Sequence, residues 1–291
     1  MKRFIFTLTA LAMLLPAAAD AQIENAEAAE KFNNGRSLYQ QGKYQDALED
    51  FLESAKLEPG NYLAHYMAGL TYNRLRQPDE AKTQFEAAVK HNPNYFRAFF
   101  ALGRVHESEG DLDAAVEAYQ RSGQVSEEVG QPYPNAFFNL GAVLMEQQEW
   151  DQALQAYSKV IQHEPANERA YDYMGNIYEQ KGEYTNALVQ YKQAVKAKPA
   201  WHEPYFHQAV VLNKMGQYEE AINMADQALE RMPGDGGSLF EKGTALKSLE
   251  KWDEAISVFR EAAKSPQWKQ LAEYQIERIQ NRDVEVIPPV R

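Results

Sequence analysis

The chain has no cysteine among its 291 residues. Disulfides, thiolate nucleophiles and Cys-ligated metals are therefore excluded, as is lipid attachment through an N-terminal cysteine. Long apolar runs are also missing: Phe4 to Leu15, almost wholly apolar, covers 12 residues, short of the roughly 20 that span a bilayer. Positive charge is in deficit, with 30 Lys and Arg against 42 Asp and Glu and a net charge of −12. Such a surface repels nucleic acid and anionic lipid, so neither is an expected partner. Recognisable catalytic constellations are missing as well. The six histidines (His65, His91, His106, His163, His202 and His207) contain no pair at the i, i+4 spacing of a helical zinc site. Pro233-Gly234-Asp235-Gly236-Gly237 lacks the lysine and preceding strand of a phosphate loop and reads as a wide turn. No enzyme activity, metal or cofactor is expected.

What is present begins with a targeting signal. Lys2 and Arg3 precede the apolar run, and Ala19-Asp20-Ala21 places small residues where a signal peptidase reads. Residues 1–21 are read as a secretory signal, cut before Gln22, which removes Lys2, Arg3 and Asp20 and leaves a net charge of −13. The expected location is the periplasm, with secretion as the alternative. An exported chain without disulfides depends on packing alone.

That packing is periodic. Gly35, Gly69, Gly103, Gly141, Gly175 and Gly243 recur at 34, 34, 38, 34 and 68 residues, with Ala209 midway through the last interval. Twelve residues after each comes an alanine: Ala47, Ala81, Ala115, Ala153, Ala187, Ala221 and Ala255. One helical hairpin copied seven times accounts for this spacing. The copies run 28–61, 62–95, 96–133, 134–167, 168–201, 202–235 and 236–269. Pro59, Pro93, Pro165, Pro199 and Pro233 end second helices, because proline lacks the N–H a helix needs. Gly42, Gly110, Gly182 and Gly216 suit the left-handed residue that closes a first helix.

The spacing of Gly69, Tyr72, Ala81, Phe85, Ala88 and Pro93, repeated at Gly175, Tyr178, Ala187, Tyr191, Ala194 and Pro199, resembles the tetratricopeptide repeat. The resemblance covers about 28–269 and implies an all-α, right-handed α-solenoid that binds protein partners along a concave groove. Departures are local: extra residues around Gln124 to Tyr133, Ala209 and Ala225 in place of glycine and aromatic in the sixth copy, and Pro266 one residue early in the seventh. Trp268, Leu271, Ala272, Ile276 and Ile279 continue a helical period, read as a capping helix over 270–282 before a flexible tail, 283–291.

Within each copy, positions 4, 7, 8 and 11 form the stripe that packs on the second helix, and positions 2, 5, 9, 12 and 13 lie opposite. Position 5 reads Phe32, Tyr66, Phe100, Phe138, Asp172, Phe206 and Phe240, and Arg36, Arg74, Arg97 and Arg104 share the stripe. Aromatic and arginine side chains anchor interfaces. These residues, apart from Asp172, are the candidate groove for a peptide or protein partner in the cell envelope, with an acidic segment expected opposite the first three copies. A competing reading has the rings covering one another between neighbouring helices. Glu146, Asp172, Glu179 and Glu203, further along the stripe, read either as a solvated face or as a change of sign along the groove that sets the direction of a bound segment. In some members of the resembled family, Lys at position 5 with Asn at position 9 grips a carboxylate; no copy carries that pair. A glycan partner such as peptidoglycan is the alternative that aromatic rings allow.

Overall fold

The computed structural model describes residues 23–281, which are helical throughout apart from short turns and contain no strand. Fifteen helices form seven hairpins and one final helix. They divide into two compact units between Tyr133 and Pro134. The first unit contains α1 (Ala26–Gln40), α2 (Tyr44–Leu57), α3 (Tyr62–Arg74), α4 (Pro78–His91), α5 (Phe96–Glu109) and α6 (Leu112–Glu128). The second contains α7 (Pro134–Glu146), α8 (Trp150–His163), α9 (Glu168–Gln180), α10 (Tyr184–Ala197), α11 (Glu203–Lys214), α12 (Tyr218–Arg231), α13 (Gly236–Ser248), α14 (Trp252–Ala262) and α15 (Lys269–Gln280). The signal segment, 1–21, and the tail, 283–291, lie outside the described residues.

One packing identity generates six of the seven hairpins. The glycine at position 8 of the first helix accepts a ring from the second helix, sixteen residues on in sequence: Phe51, Phe85, Tyr119, Tyr157, Tyr191 and Phe259. A Cβ built on Gly69 would stand 2.6 Å from Phe85 Cε1, and one on Gly103 equally close to Tyr119 Cδ1. Glycine is required because the ring occupies the space of a side chain. All seven period alanines are fully buried in the same helix contacts. In the sixth hairpin Ala209 and Ala225, both fully buried, replace glycine and ring together.

The turn residue fifteen positions into each copy is left-handed in all seven hairpins. Four are glycines (φ +74 to +80° at Gly42, Gly110, Gly182 and Gly216), and Arg76, Gln148 and Glu250 adopt φ of 60 to 62° without that freedom. Register therefore outweighs local preference at three turns. The extra residues of the third copy lengthen α6 to 17 residues, against 14 for α2, α4, α8, α10 and α12. Two expectations need correction. Gly236 and Gly237 are the first turn of α13 and not a wide loop; Trp268 and Phe206 press on them, leaving no room for side chains. On α15, Ala272 and Ile279 are buried but Leu271 is 50% exposed, so the packed stripe is narrower than its sequence period suggested.

Candidate functional site

The position-5 residues are not on an open face. In the first unit Phe32 lies 5.8 Å from Phe51, Tyr66 5.8 Å from Phe85, and Phe100 5.5 Å from Tyr119, between ring centroids. All three are buried. The cause is the glycine at position 8: the second-helix ring, unobstructed, reaches over the first helix and meets the ring one turn earlier. A second ring, from the residue preceding the next repeat, closes the sites of Tyr66 and Phe100. Tyr95 stands 5.0 Å from Tyr66, and Tyr133 5.1 Å from Phe100, both edge-on. In the second unit Phe138, Phe206 and Phe240 are half-buried. Phe138 contacts Tyr157 and Tyr173 (both 5.5 Å), and Phe240 contacts Phe259 and Trp268. The expectation that hairpin packing leaves this stripe free is thus corrected: the rings are packed both within and between hairpins, with no flat, uncovered aromatic platform for a sugar in the first unit.

The arginines stand differently. Arg74 and Arg104 are exposed, and Arg36 and Arg97 half-buried. Among the described residues none of the four forms an ion pair, unlike Lys31, Lys82, Arg121, Lys181 and Lys214. Arg74 Nε donates to the Tyr39 hydroxyl at 3.3 Å. Arg97 lies over its neighbour Phe96, 5.0 Å from the ring centroid, and Arg36 5.9 Å from that of Phe32. Arg36 Nε is buried without a hydrogen-bond partner. Burial raises the Tyr66 phenol well above its ordinary pKa, with Tyr133 and Tyr39 adding to the rise and Arg97 and Arg104 opposing it. Tyr66 is therefore the point around which phenols from α1 and the Tyr133 turn and guanidiniums from α5 gather. Glu107, the carboxylate on the same stripe of α5, is engaged at 2.6 Å by the Tyr119 hydroxyl.

A second polar group was missed in the sequence. Asp172, at position 5 of the fifth copy, is buried and accepts from or pairs with His207 Nδ1 at 2.8 Å. Tyr191 donates to Asn176 (2.8 Å) and Glu179 (2.9 Å), and Lys214 Nζ pairs with Glu179 at 2.8 Å. Asp172 and Glu179 belong to this network and not to a solvated face. The one non-aromatic residue in the position-5 series was the available signal, since a buried carboxylate needs a partner. His65 is satisfied, through Gln84 and Pro59. His106 is not: its Nδ1 makes no hydrogen bond, and the Glu109 carboxylate is 3.6 Å away. No group of three or more His, Asp and Glu among the described residues is arranged to hold a metal ion.

Comparison with known proteins agrees with this architecture. The tetratricopeptide repeat profile matches residues 32–81, 66–124 and 208–267, together more than half of the chain, and the profile of the C-terminal ARM domain of tetratricopeptide repeat protein 21 matches 124–235. Mouse (Mus musculus) BBSome complex member BBS4 is 33% identical over 93 residues, 32% of this chain and 18% of that protein. The chain spans less than a quarter of the length of the curated relatives it matches. Among solved structures, MamA superposes with a TM-score of 0.54 at 25% identity, over 60% of this chain and 92% of MamA. YrrB, described as a TPR protein with an unusual peptide-binding site, gives 0.57 at 16% identity, over 65% and 95%. With the glycine–ring pairs, the buried alanines and the seven left-handed turns all in one register, the chain belongs to the tetratricopeptide repeat family.

Proposed function

We propose that this chain is an exported, non-enzymatic scaffold that binds a peptide or protein segment along the first helices of its hairpins, in the assembly of cell-envelope machinery. The observation that carries the binding reading is the set of four arginines, Arg36, Arg74, Arg97 and Arg104, without ion pairs in a chain of net charge −12. Arg36 and Arg97 lie over Phe32 and Phe96 and Arg74 donates to Tyr39, but no carboxylate of the described residues pairs with any of the four, and arginine is a residue type that anchors protein interfaces. Export and periplasmic location rest on the sequence of residues 1–21. The curated relatives, BBS4 of Mus musculus and a glutamine-rich repeat protein of Saccharomyces cerevisiae among them, are eukaryotic and lend that placement no support.

The burial of Phe32, Tyr66 and Phe100 moves the expected contacts from the rings to the charges. Cross-linking in whole cells, comparing wild type with Arg74→Glu/Arg104→Glu, tests the reading. A partner captured by wild type and lost from a folded variant is expected. Capture of the same partner by both proteins would place the interface elsewhere, and fractionation into the cytoplasm would overturn the exported role.

A further inference from the structure

Three consecutive first helices of the second unit are joined through polar side chains. Between α9 and α11, Asp172 Oδ1 meets His207 Nδ1 at 2.8 Å, and Lys214 Nζ meets Glu179 Oε1 at 2.8 Å. Between α11 and α13, Asn213 Nδ2 donates to the Glu241 backbone carbonyl at 2.9 Å and to Glu241 Oε2 at 2.8 Å. Tyr191, from α10, donates to Asn176 and Glu179, and its ring lies 5.2 Å from that of His207. In the first unit α1 and α3 are tied instead by a guanidinium, Arg74 to Tyr39, which keeps its charge at any physiological pH.

Two residues of this seam change charge in an accessible pH range. Asp172 is 6% exposed, and its carboxylate meets His207 and, at 3.4 Å, the Asn176 amide. A charged donor holds a carboxylate about twice as strongly as a neutral one, so the tie is strongest when the imidazole carries both protons. Glu241 also favours its protonated form. Its half-buried carboxyl receives the Asn213 amide, while Lys214, the nearby cation, is already paired with Glu179. A neutral carboxyl keeps the amide bond without the cost of burying a charge.

The surrounding groups act in the same direction. Glu179 and Glu203 face His207 together with Asp172, and His202 is held by Glu203 at 2.9 Å. From α12, Asp226 is engaged by Lys242 of α13 at 2.6 Å, and Arg231 lies over Tyr205, 3.9 Å from the ring centroid. The other acids of α12, Glu219, Glu220 and Glu230, are exposed, as are Asp253, Glu254, Arg260 and Glu261 of α14. Burial opposes protonation of His207, but the bond and charge of Asp172, with Glu179 and Glu203, raise its pKa above the ordinary value; burial raises that of Glu241.

We propose that α9, α11 and α13 form an acid-held seam: protonated His207 and Glu241 keep the three helices together, and loss of those protons lets them spread. Each proton lost adds negative charge to a seam that already holds Asp172, Glu179 and Glu203 against Lys214. Because both native pKa values are raised, the stabilisation is complete below the ordinary values, 4.5 for Glu241 and 6.5 for His207, and is lost as pH rises through the native ones. The device needs no partner, so it stands or falls independently of the scaffold reading.

Hydrogen–deuterium exchange of the full chain at about pH 5.5 and about pH 7.5, corrected for the intrinsic pH dependence of exchange and read by mass spectrometry, tests the seam. Peptides from α9, α11 and α13 should lose about tenfold in protection at the higher pH, while those from α1, α3 and α5 stay unchanged. His207→Gln/Glu241→Gln keeps the amide bonds without titrating and should abolish the difference. His65→Gln, in the first unit, should preserve it. Followed by NMR, the His207 ring should titrate above its ordinary 6.5, and at lower pH in Asp172→Asn. An equal loss of protection in both units, a loss that survives the double substitution, or a wild-type His207 that titrates below 6.5 overturns the proposal. If the double variant does not fold, the wild-type titration and the contrast between the two units decide it.

Discussion

Adding one methyl group should have opposite effects at two equivalent positions of this fold. At Gly69 a new Cβ would sit 2.6 Å from Phe85 Cε1 and 2.7 Å from Cδ1, about 1 Å inside ordinary contact. Phe85 is fully buried and also touches Tyr66, so the ring cannot retreat freely. Overpacking of this kind costs about 1–3 kcal/mol, and the helix propensity of alanine over glycine returns about 1 kcal/mol. Gly69→Ala should therefore destabilise by up to about 2 kcal/mol. At the same place in the sixth hairpin Ala209 faces no ring, because Ala225 stands where the aromatic would be. Ala209→Gly, the reverse change, should also destabilise, by about 1–2 kcal/mol, through lost propensity and a lost buried methyl.

A double-mutant cycle sharpens the argument. Phe85→Ala opens a cavity and should cost about 3–5 kcal/mol. In that background Gly69→Ala no longer meets a ring and should stabilise by about 1 kcal/mol, recreating the alanine pair of the sixth hairpin. Coupling between the sites is then about 1–3 kcal/mol. Urea unfolding followed by circular dichroism at 222 nm, on the four proteins and on Ala209→Gly, measures each quantity. If Gly69→Ala has the same sign with and without Phe85, or if Ala209→Gly stabilises, the glycine–ring identity does not govern the hairpin.

Other outcomes follow from the same packing. Tyr157 has a buried hydroxyl with no hydrogen bond, so Tyr157→Phe should be neutral or stabilise by up to about 1 kcal/mol, whereas Tyr191→Phe loses bonds to Asn176 and Glu179 and should cost about 1–3 kcal/mol in the same urea assay. Ala187→Asp, placing an unpaired charge in a fully buried helix contact, should cost about 3 kcal/mol or more, and wild-type-like melting would refute the register. Burial alone would lower the pKa of His207, but the hydrogen bond and charge of Asp172, with Glu179 and Glu203, raise it above its ordinary value. A raised native pKa stabilises fully below the unfolded value, about 6.5, and the contribution is lost as pH rises through the native one. Wild type should thus lose stability over that interval, and His207→Gln should remove the slope.

The sequence exposed the hairpins because their packing is tied to residue size. A ring sixteen residues after a glycine, and an alanine twelve after it, are choices that helix contact forces at each copy, so the period survives even where Ala209 and Ala225 exchange roles. Position 5 was harder to read. A helical wheel puts it opposite the packing stripe, and nothing in a single helix shows that a ring from the next helix will pass over the glycine and cover it. Tyr95 and Tyr133 were invisible for a related reason: they lie in turns, outside any helical period, and act on rings of other elements. Asp172 and His207 stand 35 residues apart, near one repeat, and only the stacking of neighbouring first helices joins them.

This division has a consequence for how the protein is read by a partner. The rings at position 5 are used up in stabilising the solenoid, so removing Phe100 would alter fold and surface together and reveal little about recognition. Arg104, exposed on the same helix, forms no ion pair among the described residues. Charge at positions 2 and 9 can therefore change from one repeat to another without disturbing the glycine–ring packing beneath it. Phe32, Tyr66 and Phe100 recur because the fold needs them, while Arg36, Leu70 and Arg104 at position 9 differ because the fold does not specify them. Stability and specificity thus reside on adjacent residues of the same helices, and substitution of exposed Arg104 should shift binding while leaving the unfolding transition where it is.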